Sequence, residues 1–317
     1  MSAAEMRSTY VGELEKLMAA NDKVVVLDAD LAKANGTWGL REKFPRRAID
    51  CGIAEANMAS VAAGLSSYGF IPFITTFTPF ASRRLADQAT LSIAYAKQNV
   101  KIIGTDPGIS AELNGGTHMG LEDVAIMRAI PTMVVFEPCD PVQAAQAIWA
   151  MAEHKGPCSM RTFRKNLEVL HGDDYKFDLF KADVLKEGKD VTLFASGIMV
   201  AESLAAAELL AKDGISAEVI DVHTVKPLDK DTIIASVKKT GAAVTVENHN
   251  IIGGWYSAIC EAVCAEYPVP VEAIGIRDRF GEVGKMPYLK EVFGMRAEDI
   301  AAAAKKVIAK KRLSNNA

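Results

Sequence analysis

Compact apolar, β-branched runs alternate along the chain with longer stretches whose apolar positions recur at helical spacing. VVVLDA (24–29), FIPFITTF (70–77), VKIIGT (100–105) and TMVVFE (132–137) read as strands covered on both faces. Residues 54–68, 79–97, 121–129 and 141–154 carry helical patterns between and after them. Asp140-Pro141 marks a helix start: a capping carboxylate, then the residue whose missing N–H costs nothing there. Strand–helix–strand alternation predicts a mostly parallel sheet with right-handed crossovers.

The rhythm breaks at 166–190, where HGDDYKFDLFKADVLKEGKD is polar and turn-rich and reads as a linker. It resumes with VTLFAS (191–196), an Ala-rich helix to about Lys212, AEVIDV (217–222) and a helix from Asp229. AAVTVE (242–247), a helix from Gly254, VEAIGI (271–276) and a last helix near Ala297 follow. The expected fold class is therefore α/β, as two consecutive domains with mostly parallel sheets. Their limits are 1–165 and 191–317, and only the tail 305–317 looks soft at its end.

Composition narrows the function. Half the residues are hydrophobic, a quarter charged, and the net charge is −4. That balance fits a soluble protein with ample core and argues against nucleic-acid or membrane-surface binding. No apolar run reaches the roughly 20 residues of a membrane helix, and the start lacks a signal peptide's apolar core. The five cysteines are scattered without a CxxC, which points to reduced thiols in the cytoplasm. Cys260 and Cys264 lie one helical turn apart, but no nearby His or Cys completes a metal site.

In DCGIAEANM (50–58), Glu55 opens a helix and shares a face with Met58, Ala59 and Ala62. A carboxylate on such a face needs a partner, unless it is a solvated first-turn acid. The loop after the third strand holds TDPGIS (105–110) and NGGTH (114–118); its glycines permit close ligand approach and His118 offers a proton-exchanging ring. Phe77 and Phe80 flank Pro79. Arg161 and Arg164 either hold an anion or form salt bridges. Glu247–Asn250 is a site loop or a capped helix entry. Neither GxxxxGK[ST], GxGxxG nor GxSxG occurs, which removes P-loop, dinucleotide and hydrolase signatures.

The segments DLAKAN, DCGIAEANM, TFTPFASR, NGGTH, RAIP, EPCD and ENHNIIGGW, in this order and spacing, resemble the carboxyl-terminal half of transketolase. The resemblance spans nearly the whole chain: a pyrimidine-binding domain, then the family's carboxyl-terminal domain. The family's Gly-Asp-Gly motif for Mg²⁺ and diphosphate is absent. The resemblance therefore implies the carboxyl-terminal subunit of a split, two-polypeptide transketolase. Thiamine diphosphate would be shared with an amino-terminal partner that supplies the Mg²⁺ ligands, in a dimer of heterodimers; no metal ligand is expected in this chain.

It further implies that Glu55 hydrogen-bonds N1′ of the aminopyrimidine and that Phe80 stacks on that ring, with Phe77 in the same pocket. His118 and Asn114 would meet substrate hydroxyls, and Arg7 and Arg164 would grip a sugar's terminal phosphate. Three family residues differ: a serine is Ala34, a histidine is Thr105 and an aspartate is Asn114. The departures bear on the identity of the sugar and its anion. The implied activity is transfer of a two-carbon ketol unit from a ketose to an aldose. The rival readings are 1-deoxy-D-xylulose 5-phosphate synthase-like chemistry, the β subunit of a 2-oxo-acid dehydrogenase, and a non-catalytic partner of a thiamine enzyme.

Overall fold

The computed structural model describes residues 3–314. In chain order its strands are β1 (Ala3–Glu5), β2 (Val24–Asp28), β3 (Ala48–Asp50), β4 (Ile71–Phe77), β5 (Lys101–Thr105), β6 (Val134–Phe136) and β7 (Cys158–Thr162). There follow β8 (Asn166–Glu168), β9 (Asp183–Lys186), β10 (Val191–Ala195), β11 (Ala217–Asp221), β12 (Thr224–Lys226), β13 (Ala243–Asn250) and β14 (Val271–Ile276). One sheet has the order β12-β6-β7-β5-β4-β2-β3, the other β14-β13-β10-β11-β9. Within these two sheets all pairings are parallel except those of β12 with β6 and β9 with β11; β1 and β8 form a separate antiparallel pair. The expected class, two α/β domains with mostly parallel sheets, is what the chain adopts.

The strands form where the apolar runs stand because both faces are covered: every residue of β2, β5, β7, β10 and β11 is buried. The Pro141–Glu153 helix starts as expected, with Asp140 Oδ1 accepting from the Gln143 amide at 2.8 Å. Asp229 caps the Lys230–Thr240 helix in the same way, through the Thr232 amide.

Three expectations need correction. Residues 79–97 are not one helix. The hydroxyls of Thr78 and Ser82 bond to the carbonyls of Thr105 and Thr78, giving the backbone a turn instead. Helix begins only at Ala86 and widens to a π-helical turn over Ala89–Tyr95. The segment 166–190 is not a plain linker: β8 pairs antiparallel with β1, and β9 edges the second sheet. The chain also recrosses after the second sheet has begun, for β12 adds an antiparallel edge to β6 of the first. The last helix runs to Ser314, and the end of the tail, 315–317, where softness was expected, lies outside the described residues. No helix among the described residues is long and apolar enough to cross a membrane.

In the first sheet the chain steps from β2 to β3 on one side, then to β4 on the other. Side chains at the carboxyl ends of β2, β4, β5 and β7 border the crevice such a reversal opens.

Candidate active site

Glu55 is the first residue of the Glu55–Ser67 helix, whose buried face also carries Met58, Ala59 and Ala62. Its carboxylate is buried and paired with Arg84, Nη1 to Oε1 at 2.8 Å. Arg84 belongs to the turn after β4, and its guanidinium carbon lies 3.8 Å from the centre of the Phe80 ring. The site is thus a flat niche with an aromatic floor and a carboxylate at its rim, held by a planar N–H-bearing cation.

The next residues continue from Phe80 without a break. Its ring meets His118 edge-on at 5.3 Å between centroids and Phe77 at 6.0 Å. Phe77 and His118 are 5.9 Å apart. The Arg164 guanidinium carbon also stands 4.8 Å from the centre of the Phe77 ring. Arg164 is ion-paired with buried Asp106, directly after β5. Beside Asp106, the Thr105 hydroxyl donates to Asn35 Oδ1 at 2.9 Å. Arg7 reaches the same segment, donating to the Ala34 carbonyl at 3.3 Å while pairing with Glu5 at 2.7 Å.

Glu55, Phe77, Phe80 and His118 are therefore brought together, and Arg164 and Arg7 border the same path. Asn114 is exposed on the loop that carries His118 and, among the described residues, makes none of these contacts. Arg84, Asp106 and Asn35 escaped the sequence reading. Asn35 is fully buried and its Nδ2 has no hydrogen-bond partner. Its signal was the DLAKAN motif itself; Arg84 gave none, being the second of two adjacent arginines.

The 105–118 loop is pinned by the other sheet. Asn248, on β13, accepts from the Ile109 amide at 2.9 Å and donates to the Pro107 carbonyl at 2.9 Å. Gly108, at φ +55°, lies so close that a Cβ there would stand 2.1 Å from Asn248 Oδ1. Arg161 holds no anion site: it is buried in β7, paired with Asp123 at 2.8 Å and Glu137 at 3.0 Å, and donates to the Asn248 carbonyl at 2.9 Å. Glu247 accepts the amides of Trp255 and Tyr256, so it caps the Trp255–Glu266 helix. Burial pushes Asp123 up to about 6 and Glu247 up to about 8, and pushes His249 down to about 3 with help from the Arg161 charge.

The model of the transketolase pyrimidine binding domain matches residues 2–169, and that of the transketolase C-terminal domain matches 180–300. Over 306 residues the chain is 52% identical to the 6-deoxy-6-sulfo-D-fructose transketolase subunit SqwH of Clostridium sp. (strain MSTE9), covering 96% of this chain and 95% of that one. Human transketolase is 35% identical over 96% of this chain, which spans 49% of the human protein. A solved structure described as split gene transketolase, inactive beta4 tetramer, superposes with a TM-score of 0.89 at 41% identity, covering 98% of this chain and all of that one. A Pichia stipitis transketolase structure shares the fold, with a TM-score of 0.83 at 21% identity over 98% of this chain and 47% of that chain.

Proposed function

The chain belongs to the transketolase family, and on that premise we propose that it is the carboxyl-terminal subunit of a split, thiamine-diphosphate-dependent transketolase acting on an anionic ketose. The observation that carries the reading is the niche of Glu55, Phe80 and Arg84. It already accommodates a flat group that stacks on Phe80 and hydrogen-bonds Glu55, as an aminopyrimidine would.

When bound, thiamine diphosphate supplies the carbanion-stabilising centre that ketol transfer needs. The chain's own residues do the rest. Glu55 holds the proton shared with N1′ of the pyrimidine. Phe80 and Phe77 orient the ring and exclude water from it. His118, against both rings, stands where a substrate hydroxyl would meet it. The diphosphate and Mg²⁺ are left to an amino-terminal partner subunit. Ile53, Leu91 and Tyr95 support such a partner: all three are large, apolar and exposed, on or beside the Glu55 helix and the 89–95 segment packed against it. We place the enzyme in the cytoplasm, as a dimer of heterodimers.

Arg7 and Arg164 favour a substrate with a terminal anion, but each is already paired with a carboxylate. Two half-neutralised guanidiniums and one free amide, Asn35 Nδ2, suit a singly charged oxyanion better than a doubly charged one. A sulfonate fits that description. With the identity to a 6-deoxy-6-sulfo-D-fructose transketolase subunit, we assign a 6-sulfonated ketose as donor.

The test is a donor screen with the chain co-expressed with its amino-terminal partner. The sulfonated ketose should exceed its 6-phosphate counterpart in kcat/KM by at least tenfold. It should also exceed the uncharged ketose, and Arg164→Gln should remove that second preference. Equal rates for sulfonated, phosphorylated and uncharged donors would refute the anion claim. Full activity of the chain without any partner would refute the split-enzyme reading.

A further inference from the structure

A second cluster of chemistry-bearing side chains lies where segment 166–190 meets both sheets, and it rests on none of the assignments above. His171 follows β8. Its Nδ1 stands 3.1 Å from Asp140 Oδ2, which also accepts the amides of Leu170 and His171. Its Nε2 is buried without a hydrogen-bond partner and faces Asp183 Oδ2 at 3.8 Å. His223, between β11 and β12, is fully buried and arranged alike. Its Nδ1 lies 2.9 Å from the Thr224 hydroxyl, and its Nε2 is unpartnered, 3.9 Å from the same Asp183 oxygen. Asp221, at the end of β11, is fully buried. One of its oxygens accepts from Gln143 at 2.9 Å and the other has no partner.

Hydrogen bonding alone leaves this cluster incomplete, because three buried polar atoms are unpaired and each such atom costs its desolvation. Charge is incomplete as well. Among the described residues, no lysine or arginine is ion-paired with Asp140, Asp183 or Asp221. The two rings are oriented alike. Each imidazole has its Nδ1 against an oxygen, which leaves Nε2 free and turned inward. A histidine held through one nitrogen by a carboxylate, with the other nitrogen free, is the arrangement that orients a metal ligand.

The ligand atoms of His171, Asp183 and Asp221 all lie within 4.8 Å of one another. Donor atoms around tetrahedral zinc, bonded at roughly 2.0–2.2 Å, stand about 3.3 Å apart. The side chains must therefore draw inward by an ångström or so. Asp183 lies on an edge strand with its side chain a quarter exposed, and its Oδ2 accepts from the Tyr175 hydroxyl at 2.6 Å and from Gln143 at 3.3 Å, bonds that a cation would displace.

We propose that His171, Asp183 and Asp221, with His223 as the neighbouring nitrogen donor, bind a divalent transition cation of the zinc type. The donor set of imidazole nitrogen and carboxylate oxygen excludes a soft monovalent ion and suits zinc better than magnesium. Its ligands come from three places: His171 after β8, Asp183 on β9, and Asp221 at the end of β11 with His223 just beyond it. The His171 ring is oriented by Asp140, at the start of the helix after β6. A cation there would clip the 166–190 segment to both sheets.

The full chain, without an affinity tag, is stripped with a chelator and titrated with ZnCl₂ against a competing chelator of known affinity. Metal content is read after gel filtration. The expected result is one zinc per chain, a Kd at or below micromolar, and a rise in Tm of several degrees. His171→Gln and Asp183→Asn should each weaken zinc binding at least 100-fold and abolish the rise in Tm. Circular dichroism of the metal-free variants reports that they fold; the partly exposed Asp183 keeps the test valid if His171→Gln does not. Zinc lost on gel filtration, or retained equally by folded Asp183→Asn, overturns the site.

Discussion

Arg84 and Glu55 form an ion pair at 2.8 Å whose two members live in different media: the carboxylate side chain is 5% exposed, the guanidinium 47%. The partner that a carboxylate on this face needs is a cation of the same chain, which offsets the burial of its charge. The half-exposed arginine can swing out when a ligand takes its place, but while the niche is empty it is the partner that keeps a buried carboxylate compensated. Arg84 also covers the face of Phe80, so it competes for the surface on which a pyrimidine would stack.

Removing that competitor should favour the ligand. For Arg84→Ala in the assembled enzyme, thiamine diphosphate affinity is expected to rise three- to tenfold by calorimetric titration. The isolated chain should lose about 1–3 kcal/mol in denaturant unfolding, the cost of a buried carboxylate left unpaired. A fall in affinity would mean that Arg84 holds the cofactor rather than its place.

Glu55→Gln keeps the shape of the side chain but cannot carry a shared proton. Loss of a positioned proton-transfer group costs about 10²–10⁴ in rate. The variant should fold and assemble, with exchange of the cofactor's C2 proton in deuterated buffer slowed at least 100-fold. Phe80→Ala should instead lower cofactor affinity more than it slows exchange, because it removes stacking area and leaves the carboxylate in place. Wild-type exchange in cofactor-saturated Glu55→Gln would make Glu55 an ordinary first-turn acid.

His249 gives the fold an acid-sensitive point. It is fully buried among Asp123, Glu247 and Arg161, and its folded pKa is held near 3, below the ordinary 6.5. Its depressed value means that the unfolded chain binds the extra proton first. The stability it contributes is complete above pH 6.5 and drains away as pH falls toward 3, at up to about 1.4 kcal/mol per pH unit. The stability difference between wild type and His249→Gln, by urea unfolding, should therefore narrow from pH 7 to pH 4. A constant difference would show that His249 does not titrate on unfolding.

The strands and helices that matter for the site were legible because burial on both faces leaves a dense apolar signature. β2, β4, β5, β10 and β11 stand within a residue or so of where their runs predict them. β8, β9 and β12 were not legible: each has three or four residues, with polar members, and is held by a partner distant in sequence. Glu55 was readable from its neighbours on a helix. Arg84 was not, because its role depends on a turn where local hydroxyl bonding overrides a helical pattern. Arg161 reads equally well as an anion ligand until its buried partners, Asp123 and Glu137, are known.

The strand β12 leaves its own neighbours to finish the other sheet. A fragment ending before Val191 would bare the Val134–Phe136 edge, three buried apolar residues with unspent backbone donors and acceptors. Such an edge recruits strands from other copies and drives aggregation. The two halves are thus sewn together like a seam with one thread passed back through the cloth, and gene fission within 166–190 would yield two products that neither fold cleanly nor stay in solution.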